Sequence, residues 1–229
     1  MNLVETDALG ARVRSLAAVL QLASPTLPVG GFAYSQGLET AIDDGVVRDP
    51  LDALRWIEDA LTLVLARLEA PLWLRAYDAA ARGDGAAFAG FNDELLAVRE
   101  TAELRAESVQ MGASLARAFA AFGLPPPACA PLAYPAAHAA LACALGIDRE
   151  AGLAAYLWAW AENQVLVAVK TIPLGQQAGQ SMLHALHGAL ARAGATAAAL
   201  RDDELGSAPV ALAIVSARHE TQYSRLYRS

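Results

Sequence analysis

Near the N-terminus, two predicted helices are joined by the run Leu22-Ala23-Ser24-Pro25-Thr26-Leu27-Pro28-Val29-Gly30-Gly31-Phe32-Ala33-Tyr34-Ser35-Gln36-Gly37-Leu38-Glu39. Pro25 and Pro28 fix the backbone φ angle, and the Gly30-Gly31 pair permits angles that other residues avoid. A Gly-Gly turn before a helix can also cradle an anion. A phosphate loop, however, needs a preceding strand and a Gly-Lys-Ser/Thr ending, and this run has neither. We therefore predict a rigid recognition loop between two helices.

The composition favours one large helical domain. The chain has 229 residues, of which 55% are hydrophobic, so a sizeable core can be buried. Alanine and leucine outnumber valine, isoleucine and threonine, which places most segments at the helix-forming end of the propensity scale. We predict an all-α fold, a compact single-domain bundle of roughly eight to ten helices over residues 1–229 with no strand series.

Charge and cysteine content exclude several classes of protein. The formal net charge of −7 repels phosphate backbones, so nucleic acid is not an expected partner. Cys129 and Cys143 are too few for a disulfide framework or a closed zinc site, and we expect two buried thiols in a reducing cytosol. The acidic start of the chain is unlike a secretory signal, and Glu162 and Lys170 interrupt the most hydrophobic window. We expect a cytoplasmic protein with no membrane span.

Turn and capping residues divide the chain into helices. Asp49 and Asp148 are placed to cap helix starts, and Gly123 and Gly194 are placed to end helices. Pro71 is expected to open a new helix. The predicted helical segments cover residues 12–23, 36–43, 50–67, 71–82, 86–90, 92–122, 134–146, 149–170 and 176–192, and a tail occupies residues 209–229.

Polar side chains inside the apolar segment 149–170 need partners. Each unpartnered buried group costs about 1–3 kcal/mol, and Glu162, Asn163 and Gln164 stand together there. Glu162 could be a general base, but we favour a buried network or a lining that meets water or a partner protein, because no catalytic set converges anywhere in the chain. Glu107 and Gln110 form either a solvated face or a polar seam.

Histidines offer the only candidate metal ligands. His184 and His187 lie one turn apart on a predicted helix and can face the same way. Because no carboxylate or thiol stands at a matching position, they are weak candidates for a transient surface contact. We predict no resident metal site, no bound cofactor and no catalytic residues.

The C-terminal residues 219–229 are locally basic and aromatic in an acidic protein. Tyrosine and arginine are enriched at binding hot spots, because they bring large contact area and several hydrogen-bond donors. The segment is either a frayed terminus or, as we favour, part of a docking tail over residues 209–229.

Segments from both ends and the middle of the chain resemble the UreF family of urease accessory proteins. They are the loop from Leu27 to Glu39, then Glu107-Ser108-Val109-Gln110-Met111-Gly112, then Tyr156-Leu157-Trp158-Ala159-Trp160-Ala161-Glu162-Asn163-Gln164 with Lys170-Thr171-Ile172-Pro173-Leu174-Gly175-Gln176, and last Tyr223-Ser224-Arg225-Leu226-Tyr227-Arg228-Ser229.

The resemblance implies a function in urease maturation. It implies an all-α homodimer that joins a UreD/UreH-type accessory protein to the GTPase UreG, so that GTP-dependent nickel insertion reaches apo-urease. Nickel would be the cargo and GTP would be bound by the partner, so this chaperone would make or break no bond. Nickel passing through the interior of the complex would suit Glu107 or Glu162 inside the bundle.

The resemblance also carries over candidate partner-binding residues. The N-terminal recognition or dimer region is expected at Pro28, Gly30, Gly31, Tyr34, Ser35, Gln36 and Glu39. The UreD/UreH-type partner is expected at Arg225, Tyr227 and Arg228, and a second group consists of Glu162, Gln164 and Lys170. The alternative is a generic helical protein–protein interaction scaffold unrelated to urease. An enzyme with a ligand at the Gly-Gly loop and a membrane-surface helical protein are further rivals that the sequence does not favour.

Overall fold

The computed structural model describes residues 3–207 and 209–229, and within them it contains helices and no strand. The all-α prediction is therefore confirmed. The α-helices are α1 (Leu3–Ala23), α2 (Leu38–Asp43), α3 (Pro50–Ala60), α4 (Ala70–Ala81), α5 (Gly85–Ala97), α6 (Ala102–Ala118), α7 (Tyr134–Ala144), α8 (Arg149–Thr171), α9 (Gln176–Ala199) and α10 (Val210–His219). Leu61–Glu69 is a π-helical segment, and Gly31–Ala33, Phe119–Phe122 and Asp202–Glu204 are short 3₁₀ turns.

Helix α8 forms the centre of the bundle, packing against α1, α2, α3, α4, α7 and α9. Its neighbour α4 contributes Trp73, which is fully buried and stacks on Tyr156 of α8 with ring centroids 6.4 Å apart. The helix starts predicted at Asp49 and Asp148 are confirmed, because each carboxylate accepts two backbone N–H groups of the following turn. Within the described residues, no helix is long and apolar enough to cross a membrane.

Pro71 lies in the first turn of α4, as predicted, but the break expected before it is absent. The chain runs without interruption from α3 through the π-helical segment into α4, where the Ala70 N–H bonds to the Leu65 carbonyl in the wider π pattern. Pro71 has no N–H for the Arg67 carbonyl, and the distant Gly206 N–H donates to that carbonyl instead at 3.2 Å. A contact remote in sequence thus compensates for the proline.

The predicted helix over residues 92–122 is also wrong, since it is divided between α5 and α6. Thr101 caps α6 by accepting the Leu104 N–H at 3.2 Å, and the turn before it lets Arg99 reach Glu69 in the interior. In the same way, α5 runs through Gly90, and α9 continues past Gly194 to Ala199. A Cβ atom at Gly194 would stand 4.0 Å from Leu157, so this glycine faces a packed neighbour and ends nothing.

Gly112 on α6 marks the closest approach of two segments. A Cβ atom there would overlap the carbonyl group of Leu132, so only glycine allows the chain before α7 to lie against α6. This approach brings Ser108 of α6 beside Tyr134, whose N–H donates to the Ser108 hydroxyl at 3.2 Å. The polar side of α6 therefore faces the N-terminal loop and the C-terminal tail.

Candidate partner-binding site

The loop between α1 and α2 is held in a shape that few residues allow. Gly30, Gln36 and Gly37 adopt positive φ angles of 77°, 53° and 83°. A Cβ atom at Gly37 would stand 3.0 Å from Val215 of α10, so the position requires glycine for its backbone angle and for its packing. Because of these left-handed residues, α2 begins at Leu38 and not at residue 36 as predicted.

The C-terminal tail folds back onto this loop. The Ser35 N–H donates to the Ser229 carbonyl at 2.8 Å, and the Arg228 N–H donates to the Ala33 carbonyl at 2.8 Å. The Ser35 hydroxyl also donates to the Ser229 carbonyl. The loop and the tail, at opposite ends of the sequence, therefore form one surface.

Glu39 anchors the tail from α2. Its buried carboxylate accepts the Leu226 N–H at 2.7 Å and the Tyr227 N–H at 3.1 Å, and it lies 3.3 Å from His219 Nε2. Hydrogen bonds to a charged acceptor are stronger than neutral ones, so this carboxylate is well placed to hold two successive tail residues.

Glu103 of α6 fastens the same tail from the other side. One carboxylate oxygen lies 2.6 Å from His219 Nδ1, and the other accepts from Arg225 at 2.6 Å. His219 is 0% exposed and lies between the two carboxylates of Glu39 and Glu103. Arg225 is therefore paired within the chain, although its side chain stays partly open to solvent.

Gln36 and Glu107 join the loop to the helical body. The Gln36 amide donates to Glu107 at 2.6 Å and accepts from the Trp160 indole at 2.7 Å. Glu107 also accepts the Ser229 hydroxyl at 2.6 Å. Burial raises the pKa of Glu107, although the two hydrogen bonds oppose that shift. Of the two alternatives for Glu107 and Gln110, the polar seam is correct for Glu107, while Gln110 is exposed and accepts from Tyr34 at 2.8 Å.

A small chamber of about 90 Å³ lies under the loop. Its charged lining comes from Glu69, Arg99, Glu107 and Glu162. The Arg99 guanidinium donates to Glu69 at 2.7 Å. Tyr156 donates to the other oxygen of Glu69 at 2.7 Å. Burial and the Glu69 charge raise the pKa of Tyr156, so that it remains a phenol and a hydrogen-bond donor.

The other predicted residues are divided between the surface and the interior. Pro28, Lys170, Arg225 and Arg228 are exposed, whereas Tyr34, Ser35, Gln164 and Tyr227 are buried, and Gly30 and Gly31 lie between these extremes. Glu162 is half-buried, and burial raises its pKa. Its neighbour Asn163 donates to the Tyr34 carbonyl at 3.0 Å, so one member of the expected polar network does support the loop.

Among the described residues, no group of three or more His, Cys, Asp or Glu side chains is arranged to hold a metal ion. His184 and His187 are both exposed on α9, as their spacing predicts. Cys129 and Cys143 are free and half-buried, so the expectation of fully buried thiols is wrong for both. Each lies in or beside a short connection at the edge of α7, where packing is incomplete.

Sequence reasoning missed the partners that complete the site. Glu103 contacts both His219 and Arg225 of the tail, yet it was not singled out. Sequence reasoning assigned His219 no role of its own. Its position at the end of α10, between Arg218 and acidic Glu220, was the available signal.

Large apolar side chains surround the loop and the tail on the surface. Phe32 of the loop, and Tyr223 and Leu226 of the tail, are all exposed. Aromatic and aliphatic side chains beside exposed Arg225 and Arg228 have the composition of a protein-binding surface. The fold and this site define a helical protein whose loop and tail form one composite surface.

Comparison with known proteins identifies the family. The UreF family model matches residues 47–187. The urease accessory protein UreF of Azoarcus sp. (strain BH72) is 52% identical over 220 residues, which cover 92% of this chain and 94% of the relative. UreF of Cupriavidus necator is 47% identical over 228 residues, covering 95% of this chain and 99% of the relative. The chain belongs to the UreF family of urease accessory proteins, and the alternative of a scaffold unrelated to urease is set aside.

A fused relative is also similar to this chain. The bifunctional urease accessory protein UreEF of Bordetella bronchiseptica is 49% identical over 229 residues. The match covers 93% of this chain but 52% of that relative, so the chain spans about half of the fused protein's length. The loop before residue 47 and the tail after residue 187 lie outside the family-model match, although the full-length relatives cover more than nine-tenths of the chain.

Proposed function

We propose that this chain is a scaffold in the cytoplasmic maturation of urease. It joins a UreD/UreH-type accessory protein to the GTPase UreG, controls the GTPase, and allows nickel to enter apo-urease. The chain itself makes or breaks no bond and holds no cofactor, since nickel is the cargo and the partner binds GTP. The family membership supports this process, and the loop-and-tail surface supports the means of assembly.

One observation carries the docking part of the proposal, namely the way in which the tail is held. The backbone N–H groups of Leu226 and Tyr227 are bonded to Glu39, which leaves the Leu226 side chain exposed beside Arg225 and Arg228. The tail is thus ordered before a partner arrives, which lowers the entropy cost of binding. We propose that this surface receives the UreD/UreH-type partner.

Co-purification with the UreD/UreH-type protein tests the surface. Leu226→Asp places a charge on the exposed surface while keeping the backbone hydrogen bond to Glu39, so we expect the partner to be lost from the purified complex. Ala86→Asp puts the same charge on an exposed position of α5, outside the loop and the tail, and serves as the matched control. Equal recovery of the partner with both variants would contradict docking through the tail.

A homodimer is supported by the exposed face of α1. Leu9, Val13, Leu16 and Leu20 follow each other at helical spacing and are between 59% and 63% exposed. All side chains from residue 8 to 17 are exposed except the half-buried Gly10, so this part of the helix has little packing within its own chain. An apolar stripe with this spacing is the seam through which two helices pair. We propose that α1 pairs with α1 of a second copy.

The mass of the purified chain in solution tests the dimer. Leu16→Glu introduces a charge into the stripe and is expected to give a monomer by light scattering. Ser15→Glu adds the same charge at the neighbouring exposed position, off the stripe, and is expected to remain dimeric. A dimer with Leu16→Glu, or a monomer with the unaltered chain at micromolar concentration, would contradict pairing through α1.

Lys170 offers a direct test of contact with the GTPase. It is the only lysine in the chain and it is exposed at the end of α8, so an amine-reactive crosslinker has one side-chain target on this protein. We expect a crosslink to UreG in the assembled complex, and Lys170→Arg as the control should remove it while keeping the charge. Crosslinking to the other partner alone would place the GTPase elsewhere.

Nickel content of urease decides the process as a whole. Urease made with the full set of accessory proteins should be metallated with this chain and remain apo-urease without it. Glu162→Ala and Glu107→Gln then test the proposed internal passage of nickel, because both carboxylates line the chamber under the loop. Full metallation with both variants would remove the passage while leaving the scaffold intact.

A further inference from the structure

Only two of the four histidines in the chain can reach a solute. His138 and His219 are each 0% exposed, whereas His184 and His187 are exposed on the same face of α9. The two exposed rings lie with their centroids 5.1 Å apart and their planes at 69°. They therefore form an imidazole pair on a helix of 24 residues, and His187 lines the same groove as Ser24 and Pro25 of the N-terminal loop.

The separation of the two rings matches that of two ligands on one metal ion. A ligating imidazole nitrogen lies about 2.0–2.1 Å from zinc, which puts the ring centre about 3.2 Å from the metal. Two such rings at the right-angled or tetrahedral angles of common coordination have centres about 4.5–5.2 Å apart. The observed 5.1 Å falls within that range, so the two rings already stand at a separation that a shared ion allows.

The geometry points to a surface site at His184 and His187 for a divalent transition-metal ion such as Ni²⁺, Cu²⁺ or Zn²⁺. Imidazole nitrogen suits these ions, whereas Mg²⁺ and Ca²⁺ take oxygen ligands. Because the described residues supply no third His, Cys, Asp or Glu ligand, water or an incoming chelator completes the coordination. The site is open and its ion is exchangeable. This inference stands on geometry and does not rest on the proposed function.

The surroundings of the pair provide a reporter. His187 and Trp158 both line an outer groove of about 840 Å³ between α1, α8 and α9. The Trp158 ring centroid lies 6.0 Å from that of His187. Copper bound by the pair would therefore stand close to an indole, at a distance where a paramagnetic ion quenches tryptophan fluorescence.

Equilibrium dialysis of the full, untagged chain against NiCl₂ tests the site. The unaltered chain should bind one ion per chain saturably, and His184→Asn or His187→Asn should weaken binding by at least the roughly 10-fold to 100-fold that loss of a supporting partner costs metal sites. The double variant should bind no ion at this site. Cys129→Ser with Cys143→Ser is the matched control and should bind as before. Equal binding by the double histidine variant and the unaltered chain would overturn the proposal.

Copper provides a second and independent readout. The electron paramagnetic resonance spectrum of the Cu²⁺ complex should show coupling to two imidazole nitrogens, reduced to one in either single variant. Saturable quenching by Cu²⁺ should disappear in Trp158→Phe, while dialysis still finds the ion bound. A spectrum without nitrogen coupling, or quenching that survives in the double histidine variant, would show that the ion binds elsewhere.

Discussion

His138 makes the stability of the core dependent on pH. It lies on α7 and is 0% exposed, and its Nδ1 accepts the Trp73 indole N–H at 3.2 Å. Tyr134 and Tyr156 pack against its ring with centroids 5.9 Å and 5.3 Å away. Burial among these aromatic rings lowers the pKa of His138 to about 3, because the cation would lose its hydration. The folded protein therefore keeps this imidazole neutral at pH values where the unfolded chain protonates it.

The size of the effect follows from linkage. In the unfolded chain the side chain takes up a proton near its ordinary pKa of 6.5, whereas in the folded protein its pKa is about 3. Stability from the neutral imidazole is thus fully present above pH 6.5 and is lost as the pH falls, by about 1.4 kcal/mol per pH unit at most. Between pH 7 and pH 5 the loss due to this one residue is about 2 kcal/mol.

Urea unfolding at pH 7 and pH 5 measures the effect. His138→Asn keeps an acceptor for Trp73 but has no titrating group. Its free energy of unfolding should therefore fall by about 2 kcal/mol less than that of the unaltered protein between the two pH values. Other titrating groups contribute equally to both proteins and cancel in this difference. A cost of the substitution that is the same at both pH values cancels as well.

Tyr77→Phe is the control for a general loss of core stability. The Tyr77 hydroxyl donates to the Ile147 carbonyl at 2.7 Å, and its ring stacks on Trp73. Removing the hydroxyl should cost about 1 kcal/mol at both pH values and leave their difference unchanged. The reasoning would be refuted if His138→Asn showed the same fall between pH 7 and pH 5 as the unaltered protein.

Three further substitutions test the contacts that build the site. Gly37→Ala should destabilise the protein in thermal unfolding by about 1–2 kcal/mol for its backbone angle, and by more for its clash with α10. Gly83 also has a positive φ but open space around it, so Gly83→Ala should show the cost of the backbone angle alone. Glu39→Gln should release the tail, so that trypsin cleaves after Arg228 faster than in the unaltered chain; an unchanged cleavage rate would show that the carboxylate does not hold it. Gly112→Ala should prevent native packing of α6 and yield little soluble protein on expression, and a normal melting temperature would contradict the close approach.

Local sequence signals predicted helix starts better than helix ends. Asp49 and Asp148 cap their helices through N–H groups two and three residues away, so each signal lies inside a short window of sequence. The break expected before Pro71 and the helix end expected at Gly194 came from the same kind of local rule, and both predictions were wrong. Their surroundings, the Gly206 N–H for one and the packing against Leu157 for the other, come from segments that the local sequence does not contain.

The candidate site was predicted in part. Gln36, Glu39 and Glu107 were chosen from motifs, and each makes a hydrogen bond that joins loop, tail and body. Tyr227 was expected to dock a partner, and its side chain is buried within the chain itself, while neighbouring Leu226 is exposed. A motif indicates that a residue matters, but it does not distinguish a buried side chain that supports a surface from an exposed side chain on that surface.

The sequence by itself determined the helical class, the rigid loop and the family, because these depend on composition, on backbone preferences of single residues and on ordered motifs. Only the tertiary structure decided that the tail closes on the loop. Ser35 and Ser229 are 194 residues apart in sequence and meet because α2, α6 and α10 pack together around Glu39 and His219. Hydrogen bonds between such distant residues form only after the apolar faces of the helices are buried, and no local pattern encodes that geometry.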